Sequence, residues 1–361
     1  MAFGLFKKKK KESDSRFLTL TIKDVVNIAK DAVNVVFERP EGEFNYQPGQ
    51  FITVISSVDG NKIRRAYSLC STPFEDEFPA ITVKRVPDGR MSNHVNDTFK
   101  AGDTVEIMEP MGQFTTAFDE DASRKVTFIG GGSGITPLIS IIRSMLLKEP
   151  ASPLVLIYAN RNVEHVIFWE MLASLSVQHS DRFKVIHILE DDPNGHAEII
   201  GRLSSDNMGE LVHANELNSS EFFICGPQPM MDVVSEGLKM AGIEDSMINM
   251  ESFEAGKTSP KEIIATDEPK GASQVTILLE GEEHKISVPM DQGILETALD
   301  AGLDMPYSCQ SGVCTACRGK CHEGEISTND AEGLSDEELA EGYRLLCVGK
   351  PMSGEVRVEV G

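Results

Sequence analysis

Short segments in which apolar and polar residues alternate fill the chain up to about residue 118. This period of two is typical of strands with one buried face. Turn signals rich in Gly, Pro, Asp and Asn separate the segments. The strands that we predict read FLTLTIKDVV, AVNVVFER, GQFITVISS, RAYSLCS, AITVKRV and TVEIMEP. Several short strands at this spacing predict an antiparallel β-sandwich or β-barrel, which we assign to residues 15–120.

The pattern changes near residue 121. Apolar runs typical of fully buried strands now alternate with segments of helical period. The clearest of them reads KVTFIGGGSGITPLISIIRSMLL, and LVLIYANR, FKVIHILE and FFICGP follow at intervals. Such alternation predicts a parallel sheet with helices on both faces. We assign this α/β domain to residues 121–254.

The two ends of the chain differ from this middle part. Residues 255–272 combine Pro, Gly, Ser, Thr and charge without a sustained period, which predicts a linker. Residues 273–361 contain a predicted hairpin, a helix and a cysteine-rich loop, which indicates a small α+β domain. Residues 1–14 carry five consecutive lysines at positions 7–11, and we expect this basic tail to be disordered. The sequence therefore predicts a multidomain protein.

The charge of the chain narrows the choice of partners. A net charge of −23 argues against nucleic acid, because phosphate backbones bind surfaces rich in Lys and Arg. Residues 273–361 hold 17 acidic and 6 basic side chains, which keeps a domain soluble and also suits docking of a basic protein. No run of eighteen apolar residues predicts a transmembrane helix, and the N-terminus does not read as a secretory signal. We therefore expect a cytoplasmic protein.

The cysteines near the C-terminus carry the strongest chemical signal. Five of the seven cysteines fall within residues 309–347, and clustering of this kind in a cytoplasmic protein indicates metal ligation. The spacing C-x4-C-x2-C with one distant cysteine is that of plant-type 2Fe–2S sites. Zinc is the competing metal, although zinc ribbons usually pair two short C-x-x-C knuckles. We interpret Cys321 as a small core residue. The predicted ligands are Cys309, Cys314, Cys317 and Cys347.

A glycine-rich loop at residues 130–137 follows a predicted strand and opens a predicted helix. Glycines there permit a tight turn and a close approach of the backbone to a pyrophosphate at the helix N-terminus. The loop is not the Rossmann G-x-G-x-x-G, because Ile135 occupies the third glycine position. The residues that we expect to contact a nucleotide are Gly130, Gly131, Gly132, Gly134, Thr136 and Pro137.

Two further strand ends belong to the same edge of the predicted parallel sheet. The next strand ends in Asn160 and Arg161, and no acid follows there to bind a ribose 2′-hydroxyl. An arginine at this position suits a 2′-phosphate, so NADPH is favoured over NADH. A later strand ends in Cys225, Gly226 and Pro227, where an open α/β sheet presents its ligand-binding edge.

Two motifs in the first domain suit a second phosphate-containing ligand. The segment RAYS offers a cation, an aromatic face and a hydroxyl group. The segment GRMS, one strand later, supplies flexible backbone and another hydroxyl. Each motif alone is equally typical of an ordinary strand, and their occurrence together in this order is the informative feature. The candidate residues are Arg65, Ala66, Tyr67, Ser68, Gly89, Met91 and Ser92.

These motifs, taken in order, resemble those of the ferredoxin–NADP reductase superfamily, in the group with a C-terminal plant-type ferredoxin domain. The resemblance runs from about residue 16 to the end. Within the group it is strongest to reductase components of the phenylacetyl-CoA epoxidase (oxygenase) type, because the loop PYSCQSGVCTACRGKCHEGE is very similar. It implies FAD on a six-stranded barrel, a nucleotide-binding α/β domain and a β-grasp ferredoxin domain.

The resemblance also implies roles for the FAD-binding residues. It implies that Arg65 binds the FAD pyrophosphate, that Tyr67 stacks on the isoalloxazine ring and that Ser68 lies near its reactive N5. Met91 and Ser92 are implied to hold the pyrophosphate.

Further residues are implied to serve hydride transfer. Thr136 is expected beside the nicotinamide–flavin contact, and Cys225 along the hydride path. The segment from Glu251 to Phe253 is similar to the acid-x-aromatic ending of plant-type reductases, in which the aromatic ring covers the flavin. Here the aromatic residue is Phe and the chain continues beyond it. Our catalytic candidates are Ser68, Cys225 and Glu251.

These parts combine into one predicted function. NADPH delivers two electrons as hydride, whereas a 2Fe–2S cluster accepts one, and a flavin can exchange one mode for the other. We therefore expect an oxidoreductase that passes electrons from NADPH through FAD to a 2Fe–2S cluster and on to an oxygenase, of the phenylacetyl-CoA epoxidase type. A desaturase, another hydroxylase or a hybrid-cluster protein is the alternative acceptor. A redox-sensing module is the alternative from another functional class.

Overall fold

The computed structural model describes residues 17–40, 44–58, 61–253, 271–279, 281–303, 305–307, 312, 315–328, 331 and 333–360. The predicted basic tail and most of the predicted linker lie outside these ranges. The described residues form three sheets, and each sheet belongs to one domain. We name these domains the barrel domain (17–111), the α/β domain (126–251) and the C-terminal domain (272–360). No helix in the described ranges is both long enough and apolar enough to span a membrane.

The barrel domain is a six-stranded antiparallel half-barrel with strand order β4-β3-β6-β1-β2-β5. Alternate residues of each strand face its core, as Ile52 and Val54 do in β3. This confirms the prediction of an antiparallel barrel-like domain. The elements are β1 (Phe17–Ala29), β2 (Ala32–Phe37), β3 (Phe51–Val58), β4 (Asn61–Ser68), β5 (Ala80–Lys84), α1 (Arg90–Thr98) and β6 (Thr104–Met111).

Helix α1 is not indicated by the pattern of the sequence. Its apolar residues Met91 and Val95 are four positions apart and both are buried against the barrel, so one short helical stripe is enough to hold it. Gly89 precedes the helix without a side-chain cap, which leaves the first backbone N–H groups available to a ligand.

The α/β domain contains a six-stranded parallel sheet with order β10-β9-β8-β7-β11-β12. Phe128 and Ile129 are neighbours in β7 and belong to two different apolar clusters, because helices cover both faces. This confirms the predicted doubly covered sheet. The elements are β7 (Val126–Gly131), α2 (Ile135–Lys148), β8 (Leu154–Asn160), α3 (Trp169–Gln178), β9 (Phe183–Leu189), β10 (Ile199–Ile200), α4 (Ser205–Ala214), β11 (Glu221–Cys225), α5 (Gln228–Met240) and β12 (Ile248–Glu251).

The C-terminal domain is a mixed five-stranded sheet with order β14-β13-β17-β15-β16, in which β13 and β17 are parallel. Ile294, Leu295 and Ala298 of its first helix pack on the sheet. The predicted α+β architecture is thereby confirmed. The elements are β13 (Ala272–Leu279), β14 (Glu282–Pro289), α6 (Ile294–Asp300), β15 (Arg318–Glu323), α7 (Asp336–Ala340), β16 (Tyr343–Leu345) and β17 (Glu355–Val360).

Candidate functional site

A cavity of about 900 Å³ lies where the three domains meet. The end of β4 and the start of α1 line it from the barrel domain, and the turn after β7 lines it from the α/β domain. The C-terminal domain supplies Leu299, Gly302, Leu303 and Tyr307. The sequence-predicted residues that meet in this cavity are Arg65, Ala66, Tyr67, Ser68, Gly89, Met91, Ser92, Thr136 and Phe253.

The end of β4 presents three different groups to the cavity. Ser68 is 3% exposed, and its Oγ has no hydrogen-bond partner among the described residues. A buried hydroxyl without a partner costs about 1–3 kcal/mol, so we expect this atom to meet a polar group of a ligand. Tyr67 offers its ring, and burial raises the pKa of its hydroxyl, which keeps it protonated. Arg65 Nη1 donates a 2.8 Å hydrogen bond to the hydroxyl of Tyr307.

The start of α1 is built to receive an anion. A Cβ at Gly89 would lie 2.5 Å from Ser92 Oγ, so a larger residue there would have to displace this side chain. Ser92 Oγ accepts from the backbone N–H of Val86 at 3.2 Å and is 7% exposed. The uncapped helix N-terminus with Arg90 beside it suits the pyrophosphate of a dinucleotide. These groups together fit FAD.

The turn after β7 separates this cavity from a second one. Gly132 has φ +53° and its carbonyl accepts a 2.8 Å hydrogen bond from the hydroxyl of Tyr158, which fixes the turn. A Cβ at Gly134 would lie 2.0 Å from the carbonyl oxygen of Cys225, so the turn and the end of β11 touch backbone to backbone. The turn therefore has one side toward each cavity, with Thr136 on the first and Gly131 on the second.

The second cavity has a volume of about 450 Å³ and lies at the carboxyl edge of the parallel sheet. Arg161 lines it, as predicted from the sequence, together with Arg202. Arg202 forms an ion pair with Glu190, with Nε 2.9 Å from Oε1, and Glu190 supplies the acid that the end of β8 lacks. Predicted residues at this cavity are Gly131, Gly132, Asn160, Arg161 and Pro227. The mixture of exposed cations and one acid suits the ribose and phosphate part of a nicotinamide nucleotide.

Lys84 is a functional candidate that sequence analysis did not find. It ends β5 and lines both cavities. Its Nζ lies 3.8 Å from Asp31 Oδ2, and a Cβ at Gly132 would lie 3.4 Å from it. Burial lowers the pKa of Lys84, and the Asp31 carboxylate opposes this effect. In the sequence Lys84 is indistinguishable from an ordinary outward-facing strand residue. Its position at both cavities is apparent only where the barrel domain meets the α/β domain.

The structure places other predicted residues away from both cavities. The thiol of Cys225 is fully buried in the apolar core, and burial, with Glu251 nearby, raises its pKa well above the ordinary value. Its backbone carbonyl lies against the glycine turn, and its place along the hydride path stays a prediction. A Cβ at Gly226 would lie 3.0 Å from the backbone nitrogen of Gly131, and Gly130 lies inside β7. Pro137 is buried within α2.

The end of the α/β domain divides between two cavities. Phe253 is 45% exposed and lines the first cavity, which agrees with an aromatic ring over a ligand. Glu251 pairs with Cys225 across the sheet and instead lines a separate cavity with Gln228 and Ser252. Glu251 is not among the described residues that line the cavity with Ser68, and its catalytic role stays a prediction.

Two of the four predicted cluster ligands lie in the described part of the chain. Cys317 is buried at 1% exposure and Cys347 is half-buried. They lie close together, because the backbone N–H of Leu346 donates to the carbonyl of Cys317 at 3.1 Å. Cys309 and Cys314 fall outside the described residues. Cysteine thiolates are typical ligands of soft metal centres, so two cysteines brought close in this way suit such a site.

Cys321 differs from these two cysteines. It lies in β15, and its thiol donates to the carbonyl oxygens of Glu323 and Gly324. Burial raises its pKa, so it is held as a protonated thiol. This environment agrees with a packing role.

Family models match all three domains. The oxidoreductase FAD-binding domain matches residues 19–116, and the oxidoreductase NAD-binding domain matches residues 128–236. The 2Fe-2S iron-sulfur cluster binding domain matches residues 277–352.

Similar proteins cover almost the whole chain. The ferredoxin reductase component of 3-ketosteroid-9-alpha-monooxygenase from Rhodococcus rhodochrous is 35% identical over 96% of this chain and 97% of its own length. One of the subunits of 1,2-phenylacetyl-CoA epoxidase from Escherichia coli (strain K12) is 32% identical over 95% and 97%. The sequence analysis favoured the epoxidase type, but the identity to the ketosteroid component is the higher of the two.

One solved structure has the same arrangement of three domains. Phthalate dioxygenase reductase, described as a modular structure for electron transfer from pyridine nucleotides to [2Fe-2S], superposes with a TM-score of 0.60. It is 26% identical, and the match covers 95% of this chain and 98% of that one.

Proposed function

The chain belongs to the ferredoxin-reductase-type oxidoreductases that combine FAD-binding, NAD-binding and 2Fe–2S domains, and we propose that it carries electrons from NADPH to a partner oxygenase. One observation carries the proposal. A single cavity is lined by Ser68 from the barrel domain, Thr136 from the α/β domain and Tyr307 from the C-terminal domain. A ligand in this cavity would contact both the α/β domain, which is proposed to bind the electron donor, and the C-terminal domain, which is proposed to carry the electron acceptor.

In this proposal the cavity holds FAD. Bound FAD supplies the exchange between two-electron hydride chemistry and one-electron transfer. Tyr67 offers a stacking face, and the Ser68 hydroxyl is free to hydrogen-bond the reactive edge of the ring system. The N-terminus of α1, with Ser92 and Arg90, binds the pyrophosphate.

The nicotinamide nucleotide enters from the second cavity. We propose NADPH as the preferred donor, because Arg161, Arg202 and Lys84 line this cavity and suit a 2′-phosphate. The presence of Glu190 favours NADH instead, because its carboxylate can accept a hydrogen bond from a ribose 2′-hydroxyl. The ion pair between Glu190 and Arg202 holds that carboxylate in place when no phosphate competes for the arginine.

The acceptor inside the chain is proposed to be a 2Fe–2S cluster on Cys309, Cys314, Cys317 and Cys347. Leu295 N–H donates to the carbonyl of Leu346 at 2.9 Å, so the start of α6 supports the backbone beside Cys347. A Cβ at Gly293 would lie 2.7 Å from the carbonyl oxygen of Cys347, which explains the glycine before the helix.

The partner outside the chain is proposed to be the oxygenase component of a multicomponent system. The phenylacetyl-CoA epoxidase type is the acceptor that the cluster loop favours, and the 3-ketosteroid monooxygenase type is the alternative because of the identity of its reductase. Residues 273–361 hold 17 acidic side chains against 6 basic ones, which suits a basic docking face on the partner.

Loss of one cluster ligand tests the proposal. In Cys314→Ser the cluster is expected to lack a thiolate, so iron and acid-labile sulfide should be lost while NADPH still reduces the flavin. Cys321→Ser is the matched control, because this thiol donates to backbone carbonyls, and it should retain iron. Full iron content in Cys314→Ser would refute the ligand assignment, and purified protein without flavin would refute the function.

A further inference from the structure

One strand of the barrel domain is buried on both faces. Residues alternate between the two faces of a strand, and Ile52 and Val54 of β3 face the barrel core. Phe51, Thr53 and Ile55 point the other way, yet they are only 4%, 0% and 3% exposed. The outer face of an antiparallel sheet is commonly solvated. Another part of the molecule therefore covers β3.

The cover comes from the C-terminal domain. Ala316 belongs to the same apolar cluster as Phe51, Ile55 and Met108, and it is itself 6% exposed. Ala316 directly precedes the predicted cluster ligand Cys317. We name Phe51, Ile55 and Met108 the barrel patch. Ala316, next to the predicted ligand Cys317, thus packs on the barrel patch.

A polar contact flanks this apolar one. Arg65 Nη1 lies 2.8 Å from the hydroxyl of Tyr307, and its guanidinium carbon lies 5.6 Å from the centre of the tyrosine ring. Tyr307 is two residues before the predicted ligand Cys309 and lines the cavity proposed to hold FAD. Two described residues of the C-terminal domain, Tyr307 and Ala316, therefore contact the barrel domain on either side of the predicted ligands Cys309 and Cys314 in the sequence.

The two contacts differ in what they can specify. Apolar burial is non-directional, so the barrel patch holds the domains together without setting their orientation. A hydrogen bond from a guanidinium has a defined direction and is stronger than a bond between neutral groups. The bond from Arg65 to the hydroxyl of Tyr307 can therefore set the orientation of Tyr307 relative to the barrel domain.

We propose that Tyr307 is a positioning residue that orients the C-terminal domain on the barrel domain for electron transfer between flavin and cluster. The inference rests on the proposed function. Each NADPH supplies two electrons and one proton as hydride, and a second proton comes from solvent. The cluster takes one electron at a time, so the oriented arrangement serves two successive transfers. Both protons return to solvent, and the external acceptor is reduced by one electron twice.

Rapid mixing of anaerobic holoenzyme with NADPH tests the inference. Flavin and cluster absorbance are followed separately, and the rate of cluster reduction is divided by the rate of flavin reduction. In Tyr307→Phe the ring remains and the hydrogen bond is lost, so this ratio should fall about threefold to tenfold. Hydrogen–deuterium exchange of residues 51–58 in resting holoenzyme should become faster, which reports the loosened contact without any turnover.

Matched variants separate the inference from loss of the cluster. Tyr343→Phe removes the same group in the same domain, where Arg318 and Lys320 lie over the ring, and its ratio should not change. Ile55→Ala weakens the barrel patch from the opposite domain and should lower the ratio with an unaltered cluster spectrum. An unchanged ratio in Tyr307→Phe would overturn the inference, whatever the result for Ile55→Ala. Failure of NADPH to reduce the flavin of the unaltered protein would overturn the proposed function instead.

Discussion

The two nucleotide cavities of this protein are built in different ways. The first has a volume of about 900 Å³, receives residues from all three domains and presents buried groups such as Ser68 and Ser92. The second has a volume of about 450 Å³ and, apart from Lys84, belongs to the α/β domain alone. Its ion pair is solvent-exposed, with the Arg202 side chain 80% exposed. This difference agrees with our proposal that the first cavity retains FAD and the second exchanges the nicotinamide nucleotide.

The largest effect is expected where the two cavities touch. In Gly134→Ala the new Cβ would lie 2.0 Å from the Cys225 carbonyl oxygen, so the turn after β7 must move. Displacement of this kind should slow flavin reduction by NADPH about 100-fold in rapid-mixing experiments. FAD content should persist, because the other walls of the first cavity are untouched.

Gly209→Ala provides the control, because a Cβ there would meet nothing within 4 Å. It lies in α4 and should raise the free energy of unfolding by about 0.5–1 kcal/mol. If Gly134→Ala lost FAD as well as hydride transfer, the two cavities would not be separable.

A second test asks whether the first cavity binds a retained ligand through Ser68. Ser68→Ala removes the unpartnered hydroxyl, and flavin reduction should slow by roughly 10- to 100-fold because a polar group at the reacting ring is lost. The free energy of unfolding of the FAD-free protein should rise by up to about 1 kcal/mol, since an unsatisfied group disappears.

The comparison variant is Ser144→Ala, another buried serine. Its Oγ has partners in Thr72 and the carbonyl of Ser140, at 2.7 and 2.6 Å. This variant should be destabilised by about 1–3 kcal/mol, with flavin reduction unaffected. Equal destabilisation by both substitutions would show that Ser68 is not held for a ligand.

Substitutions in the second cavity should change the KM for the nicotinamide nucleotide. Arg161→Ala is expected to raise the KM for NADPH about tenfold more than the KM for NADH, because a charge-assisted bond to the 2′-phosphate is lost. Glu190→Gln should act in the opposite direction by raising the KM for NADH. Steady-state assays with both nucleotides measure the pair, and equal effects on both nucleotides would remove these residues from the recognition of the 2′ position.

Salt should produce the smallest effect. Exposed charges are screened as ionic strength rises, so the KM for NADPH should increase about twofold to threefold between low and moderately high salt. FAD content, measured after gel filtration at the same salt, should stay constant. Loss of FAD over this range would contradict the assignment of the first cavity to a retained ligand.

Local pattern was sufficient for much of this architecture. The period of two in residues 15–120 and the alternation of buried strands with helices after them predict the two sheets that are observed. The residue types of segments such as RAYS and GRMS are recognisable in the sequence itself. The residues that β4 and α1 contribute to the first cavity could therefore be predicted. Helix α1 was not predicted, because its apolar stripe consists only of Met91 and Val95 and is too short to show a helical period.

Features that depend on contact between domains could not be found in the same way. Lys84 and Tyr307 read as ordinary residues of a strand and a loop, and they become significant only where another domain meets them. Cys225 and Glu251 show the converse. Both stand at strand ends on the ligand-binding edge, and the sequence did not indicate that Cys225 is buried in the apolar core or that Glu251 lines a different cavity from Ser68.

The cover over β3 sets a limit on how freely these domains can be cut apart or exchanged. A fragment that ends at residue 253 would present Phe51, Ile55 and Met108 to water. Exposed apolar patches promote self-association, so such a fragment would tend to aggregate. A chimaera with a foreign C-terminal domain must place a small residue opposite these side chains, as Ala316 does. Evolutionary recombination of such parts would require the two surfaces to change together.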